Sequence, residues 1–308
     1  MELYLPIAEM PVNVFVILAM GGTVGFLSGI FGVGGGFLLT PLLIFYGISP
    51  AVAVASVTAQ ITASSTTGAL AYLRSGNLDI KLGSILFSAG IMGSVVGVEI
   101  FARLRELGQL DLIISVSYVT FLGAVGSLMV MESVRAIVRT RKGNTVATRR
   151  SGQHNWVHGL PFKMRFKKSK IYVSILPVLF IGGSIGFLGT VLGIGGGFML
   201  VPALIYILRV PTAVVIGTSL YQIVVTMAVA TVLHSITTQT VDIVLALILM
   251  LGGTVGAQFG AQIGQKLKAE QLRALLGILV LMVGMRFAYN LVIQPQEVYS
   301  IEVREAQQ

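Results

Sequence analysis

Residues 32–41 read GVGGGFLLTP, and they sit inside an apolar stretch that a bilayer would require to be helical. Glycine costs about 1 kcal/mol relative to alanine in a helix interior. Gly34, Gly35 and Gly36 are adjacent, so they point in all directions around a helix and no single packing face needs them. Pro41 follows shortly after and removes a further backbone donor. Together these residues predict a structural break. Unwound backbone at membrane depth is tolerated where it is buried in protein or lines a wet cavity.

The same pattern recurs. Residues 21–43 read GGTVGFLSGIFGVGGGFLLTPLL, and residues 182–204 read GGSIGFLGTVLGIGGGFMLVPAL. Thirteen of the 23 positions are identical at an offset of 161. The match continues more weakly: SVTAQI (56–61) aligns with TSLYQI (218–223), pairing Gln60 with Gln222. GSVVGVEIFA (93–102) aligns with GGTVGAQFGA (252–261), pairing Glu99 with Gln258. The chain is two copies of one unit, the usual plan of secondary transporters.

Composition gives the class of that unit. Hydrophobic residues make up 55% of the 308 positions and charged residues 11%, and the mean hydropathy is +0.90. A soluble domain carries about 25% charged residues. The expected fold is therefore an all-α, polytopic integral membrane protein. Long apolar segments fall at 12–31, 50–72, 80–103, 111–133, 171–192, 212–234, 241–263 and 272–293. Each can cross roughly 30 Å of hydrocarbon. Two further segments, 37–48 and 198–208, follow the glycine runs and are too short to span comfortably. The first residues, MELYLPIAE, lack the basic region of a cleaved signal, so the first apolar segment is expected to be retained.

Charge sets the expected orientation. Residues 139–170 hold ten Lys or Arg and no Asp or Glu, so they are expected to be cytoplasmic and to touch anionic lipid. His154, Trp156 and His158 lie there, at a spacing that is weak evidence for a metal. The expected division is a first membrane repeat at 1–138, a basic linker at 139–170 and a second repeat at 171–308. Both termini are acidic or poor in basic residues and are expected outside, as in a multi-pass inner-membrane protein. Each half then crosses an odd number of times: four full spans plus the short broken or re-entrant segment, counted as a crossing, give five. The copies come out as inverted repeats. The basic loop Lys266, Lys268 and Arg273 falls inside, as it should, whereas Arg103 and Arg105 fall outside and count against this arrangement. The competing arrangement has four spans per half, parallel copies and both termini inside.

The glycines divide by role. Gly25, Gly29, Gly182 and Gly186 have the spacing that lets membrane helices approach closely. Gly34–Gly36 and Gly195–Gly197 instead open short half-helices, with Pro41 and Pro202 downstream. Free N–H groups and the helix dipole at such a start favour an anion. Glycine amides without Cβ atoms add to the concavity. A dinucleotide loop needs a preceding strand in a soluble βαβ unit, which is absent from this pattern.

Polar residues crowd the matching spans. Gln60 and Gln222 must find partners if buried. They are candidate substrate contacts with Ser56, Thr58, Thr218 and Ser219, or else interhelical hydrogen bonds. Glu99 is a candidate coupling carboxylate, or simply reaches the interface. Asp79 and Asp242 precede corresponding spans and are expected to cap them. No catalytic set, metal cluster or cofactor motif is present, so an enzyme is not expected. The absence of cysteine removes disulfides and thiol chemistry. The net charge of +9 points to lipid and topology rather than nucleic acid.

The doubled glycine–proline motif in a membrane context resembles the TauE/SafE sulfite exporter family. The matching residues are Gly29, Gly32, Gly34, Gly35, Gly36 and Pro41, then Gly193, Gly195, Gly196, Gly197 and Pro202. In the second copy the earlier glycine is Gly189, four rather than three before Gly193. The likeness spans residues 12 to 293. It implies a permease or exporter for sulfite, an organosulfonate or a related sulfur-containing anion. Other readings are a permease for another small anion or a cation-coupled metabolite, or a non-transporting scaffold or sensor working through the linker. The sequence leaves open the anion, the direction, the coupling ion, the oligomeric state and whether the short segments cross or re-enter.

Overall fold

The computed structural model describes residues 2–141, 161–264 and 269–292. Readings that rest on His154, Trp156, His158, Lys266, Lys268 and the tail after Gln294 fall outside these residues. The eight long segments are the helices α1 (Val14–Phe31), α3 (Pro50–Arg74), α4 (Ile80–Glu106), α5 (Leu110–Arg141), α6 (Ile175–Leu192), α8 (Thr212–Leu233), α9 (Ile243–Gly264) and α10 (Ala269–Val292). The short segments are α2 (Gly36–Tyr46) and α7 (Gly197–Tyr206). Among the described residues, six helices are long and apolar enough to cross a membrane by length and composition. α3 is long enough too, but its hydroxyls lower its hydropathy. Thr58, Thr62, Ser64, Thr66 and Thr67 donate back to carbonyls three or four residues earlier, which removes most of their cost in a span.

Two antiparallel hairpins were not expected. β1 (Glu2–Leu5) pairs with β2 (Met10–Asn13), and β3 (Lys163–Phe166) pairs with β4 (Ile171–Ser174). They correspond at the same offset of 161 as the glycine motif. Each ends in a residue that caps the next helix: Asn13 accepts from Phe15 N–H and Ser174 from Leu176 N–H. β3 lies within the stretch expected to be linker and β4 at the start of the expected span 171–192, and the matching hairpin carries the likeness between the copies back to Lys163.

The hairpins lie at opposite ends of α3. Ser56, near the start of α3, accepts from the backbone N–H of Asp242, whose carboxylate holds the β1–β2 turn. Just past the end of α3, Asp79 holds the β3–β4 turn, and Lys168 Nζ donates to Gly76 O. At 25 residues, α3 is about 37 Å long. The helices that follow the hairpins, α1 and α6, therefore enter from opposite ends.

Copies interlock across the sequence halves. α1 runs parallel to α9, with Gly21, Gly25 and Gly29 against Leu249, Gly253 and Ala257. α6 runs parallel to α4, with Gly182 against Leu86 and Gly186 against Gly90. A Cβ at Gly25 would strike the Gly253 backbone, and one at Gly186 the Gly90 backbone. Backbone approach this close is how helices associate in lipid, where apolar burial gives little drive. Corresponding helices cross antiparallel at the middle: Thr58 and Gly68 of α3 meet Thr231 and Leu220 of α8. Leu122 and Gly126 of α5 meet Gly284 and Leu281 of α10.

One local irregularity follows from the alignment. The offset between copies is 162 at Gln60/Gln222 and 163 at Asp79/Asp242, so the second copy gains a residue. A π-helical turn, His234–Thr238, absorbs it. Such turns characteristically accommodate one extra residue.

Candidate functional site

α1 ends at Gly32 and α6 at Gly193, both with left-handed backbone. The chain then reverses. α2 starts at N-cap Gly35 (φ 76°) and α7 at N-cap Gly196 (φ 72°), conformations that favour glycine. α2, at 11 residues or about 16 Å, runs from the centre back to the β1–β2 end, where Tyr46 Oη accepts from Asn13 N–H. α7 runs the opposite way, and Leu208 and Val210 just beyond it pack with Phe166 and Val173 of the other hairpin. Each short helix runs back toward the hairpin that precedes its copy. Helix continues through Pro41 and Pro202, so the glycines make the break and the prolines lie inside the helices that follow.

The two breaks touch. A Cβ at Gly36 would run into Gly193 O, and one at Gly197 into Val33 O. Gly34 lies against Ile61 and Ile223, Gly195 against Ile61, and the rings of Phe37 and Phe198 stack with centroids 6.0 Å apart. Residues 31–40 and 191–198 are buried throughout.

The electrostatics of this junction are one-sided. The carbonyls that end α1 and α6 are covered by hydroxyl donors. Ser219 Oγ donates to Gly32 O (2.8 Å), Thr40 Oγ1 to Gly193 O (3.0 Å) and Tyr118 Oη to Leu192 O (2.9 Å). The starts of α2 and α7 have glycine N-caps with no side-chain acceptor, and neither has an acidic residue in its first turn. Two positive dipole ends therefore converge at the centre, beside three helix-end carbonyls that already accept from hydroxyls.

The structure sorts the sequence candidates. It brings together Gly34, Gly35, Gly36, Gly195, Gly196 and Gly197, with Ser219 as a brace. Ser56 and Thr218 accept from the backbone N–H of Asp242 and Asp79. Thr58 accepts from Thr231 across α3 and α8. Gln60 and Gln222 are buried beside the centre, with their amides at Gly253 and Gly90 respectively. Gln222 Nε2 donates to Thr226 Oγ1 (2.9 Å), whereas neither amide atom of Gln60 has a protein partner. Glu99 lies on the outer surface of α4 in an ion pair with Arg103 (2.9 Å), both side chains more than half exposed, outside the group at the centre. An apolar groove of about 830 Å³ between α4 and α6, lined by Met92, Phe180 and Phe187 among others, lies on the outer surface. Among the described residues no cluster of His, Asp or Glu could hold a metal.

Sequence reading missed Thr40 and Tyr118. Thr40 had one signal: its counterpart is Val201, a polar–apolar mismatch inside an otherwise faithful repeat. Asp79 and Asp242 do cap α4 and α9, accepting from Leu82 N–H and from Val244 and Leu245 N–H. Their second role, holding the hairpins, joins residues 90 to 235 positions apart.

Comparison with known proteins agrees with this architecture. The profile of the family described as sulfite exporter TauE/SafE matches residues 17–287. The probable membrane transporter protein YunE of Bacillus subtilis (strain 168) is 28% identical over 286 residues, 90% of this chain and 98% of its own length. A probable membrane transporter protein of Xylella fastidiosa (strain 9a5c) is 28% identical over 276 residues, 88% of this chain and 94% of its own. Sulfite exporter TauE/SafE family protein 2 of Arabidopsis thaliana is 35% identical over 115 residues, covering 37% of this chain and 24% of its own. No solved structure matches the chain. With the doubled glycine break, the apolar helices and a profile match over nearly its whole length, the chain belongs to the TauE/SafE sulfite exporter family of multi-pass membrane transport proteins.

Proposed function

We propose that the protein is a secondary transporter for a small oxyanion, sulfite or an organosulfonate, bound where the two glycine breaks meet. The observation that carries this reading is the convergence of the α2 and α7 starts, uncapped by side chains, beside α1 and α6 ends whose carbonyls are already covered. An anion is the charge that such a junction favours. Gln60 and Gln222 flank it as neutral donors. The name of the family supports sulfite.

The copies act as inverted repeats, a reading supported by the antiparallel crossing of α3 with α8 and α5 with α10. Rocking about the central contact then exposes the junction to each side in turn. Charge supports an orientation. The β3–β4 end carries Arg74, Lys81, Lys163, Arg165, Lys167, Lys168, Lys170 and Arg209, with Asp79. The β1–β2 end carries Glu2, Glu9, Glu99, Glu106, Asp111 and Asp242, with Arg103, Arg105 and Arg286. By the positive-inside rule the β3–β4 end and the basic linker leading into it are cytoplasmic, and the β1–β2 hairpin is outside the inner membrane.

Reconstitution in proteoliposomes tests the function. Counterflow of labelled sulfite or sulfoacetate by the wild-type chain, lost in Gly35→Leu and Gly196→Leu variants that still insert, is the expected result. No flux of either anion, with flux of a carboxylate or a cation instead, would overturn the substrate assignment.

A further inference from the structure

The pseudo-symmetry of the fold breaks down in its buried hydrogen bonds. Among the described residues, the buried side-chain polar atoms with no protein partner are Ser28 Oγ, both amide atoms of Gln60, Ser65 Oγ, Tyr72 Oη and Gln222 Oε1. All but the last belong to α1 and α3 of the first copy. The positions matching them in the second copy are apolar or satisfied, except that Gln222 keeps Oε1 without a partner. Gly189 stands for Ser28, with Met227 Cε packed against it. Met227 itself stands for Ser65, and Gln222 reaches Thr226. His234 stands for Tyr72, its ring nitrogens 3.3 Å from Thr190 O and Thr238 Oγ1.

Three of these groups, Gln60, Ser28 and Tyr72, are placed along the α1–α3–α9 junction by their contacts. Gln60 lies at Gly253, beside the Gly25 contact. Ser28 adjoins the N-cap of α2, its Cβ 3.3 Å from where a Cβ of Gly35 would lie. Its chain neighbour Gly29 rests on Ala257 and Ala261. Tyr72 Oη lies 3.1 Å from where a Cβ of Gly264 would lie, beside Ile30 and near the β3–β4 end. Ser65 lies between Gln60 and Tyr72 on α3. Orphaned polar atoms in a buried interior carry a desolvation cost of about 1–3 kcal/mol each, so a group that hydrogen-bonds them in another state has a reason to be there. The α9 wall of this junction is small: Gly253, Ala257, Ala261 and Gly264.

We infer that Gln60, Ser28, Ser65 and Tyr72 form a hydrogen-bonding lane that conducts the oxyanion between the glycine junction and the β3–β4 end. Its hydrogen-bonding groups all come from the first copy, while α9 of the second copy supplies the wall. Neutral donors suit an anion that must pass without being trapped. This rests on the oxyanion reading of the central junction, and the test separates the two.

The chain has no cysteine, so single cysteines can be introduced without background. Ser28→Cys, Ser65→Cys and Tyr72→Cys are exposed to a membrane-impermeant thiosulfonate reagent from each side of sealed proteoliposomes, with and without sulfite. Met227→Cys and His234→Cys, the mirror positions, are the controls. Modification of the first three from the β3–β4 side, slowed by sulfite, with the mirror positions unreactive from that side, is the expected result. Modification that sulfite does not slow would support the lane and overturn the sulfite assignment. No modification in variants that still transport, or equal reaction of Met227→Cys from the same side, would overturn the lane. Independently, Ser28→Ala and Ser65→Ala are each expected to raise the KM for sulfite about tenfold, the loss of one hydrogen bond to an anion. Met227→Leu is expected to leave it unchanged, and an unchanged KM in both alanine variants would also overturn the proposal.

Discussion

Asp242 offers the sharpest test of how the copies are tied together. Its carboxylate is fully buried and accepts four N–H groups: Ile7 (2.9 Å) and Ala8 (3.3 Å) through Oδ2, and Val244 and Leu245 (both 3.1 Å) through Oδ1. One oxygen caps α9 and the other grips the β1–β2 turn. Asparagine can keep the cap through its carbonyl oxygen. Its NH2 group would then face two N–H donors and hold neither. Hydrogen bonds to a charged group contribute about 1.5–3 kcal/mol each, and the two to the hairpin share one oxygen, so releasing them should cost about 2–3 kcal/mol. Asp242→Ala loses the cap as well, a further ~1 kcal/mol. The assay is hydrogen exchange of the Ile7 and Ala8 amides in detergent-solubilised protein, with thermal unfolding alongside. In Asp242→Asn these amides should exchange roughly 30-fold faster or more, at about 1.4 kcal/mol per tenfold. The Val244 and Leu245 amides should stay protected, and Asp242→Ala should release all four. Unchanged exchange at Ile7 and Ala8 in Asp242→Asn would refute the clamp.

Three further outcomes follow from the packing. Gly25→Ala and Gly186→Ala place a methyl against backbone and should destabilise the protein despite better helix propensity. Gly22→Ala and Gly183→Ala meet carbonyls at 3.7 and 3.6 Å and should be neutral or slightly stabilising; thermal unfolding of all four in detergent checks the contrast. Ser219→Ala and Thr40→Val uncover Gly32 O and Gly193 O, each costing about 1 kcal/mol or more. Their unfolding temperatures should fall modestly while sulfite flux falls more, and a drop in stability alone would restrict both residues to packing. Gln60→Leu should weaken sulfite binding more than Gln222→Leu, because Gln222 is already engaged by Thr226; equilibrium binding to the two purified variants measures it.

The helices were legible in the sequence because a bilayer leaves few alternatives. Nine of the ten helical segments fall within four residues of their expected bounds, whereas α5 runs eight residues past the expected 133, to Arg141. The breaks were legible because consecutive glycines have no helical rationale. Capping by Asp79 and Asp242 was legible because it is local. The hairpins escape the expected segments, which put β3 in the linker and β4 in the span 171–192, although Leu3, Leu5, Met10 and Val12 and their counterparts Met164, Phe166, Ile171 and Val173 carry the two-residue alternation of a strand. Ser56 and Thr218 were taken for substrate contacts because polarity in a span does not tell which way a side chain points. Structure gives them to the backbone of Asp242 and Asp79 instead. Pro41 was read as part of the break because proline usually ends a helix, yet α2 starts before it and continues past it. The crossing of α1 onto α9 and α6 onto α4 was hidden because it joins the two halves of the chain, and spacing within one helix carries no information about its partner.

The most direct test of the central junction is equilibrium binding of labelled sulfite to the purified protein, with chloride and sulfate as competitors and Gly35→Leu and Gly196→Leu as variants. Saturable binding that chloride does not displace, lost in both glycine variants, is the predicted result. Binding of undiminished affinity in folded Gly35→Leu and Gly196→Leu proteins would place the anion elsewhere and contradict the account.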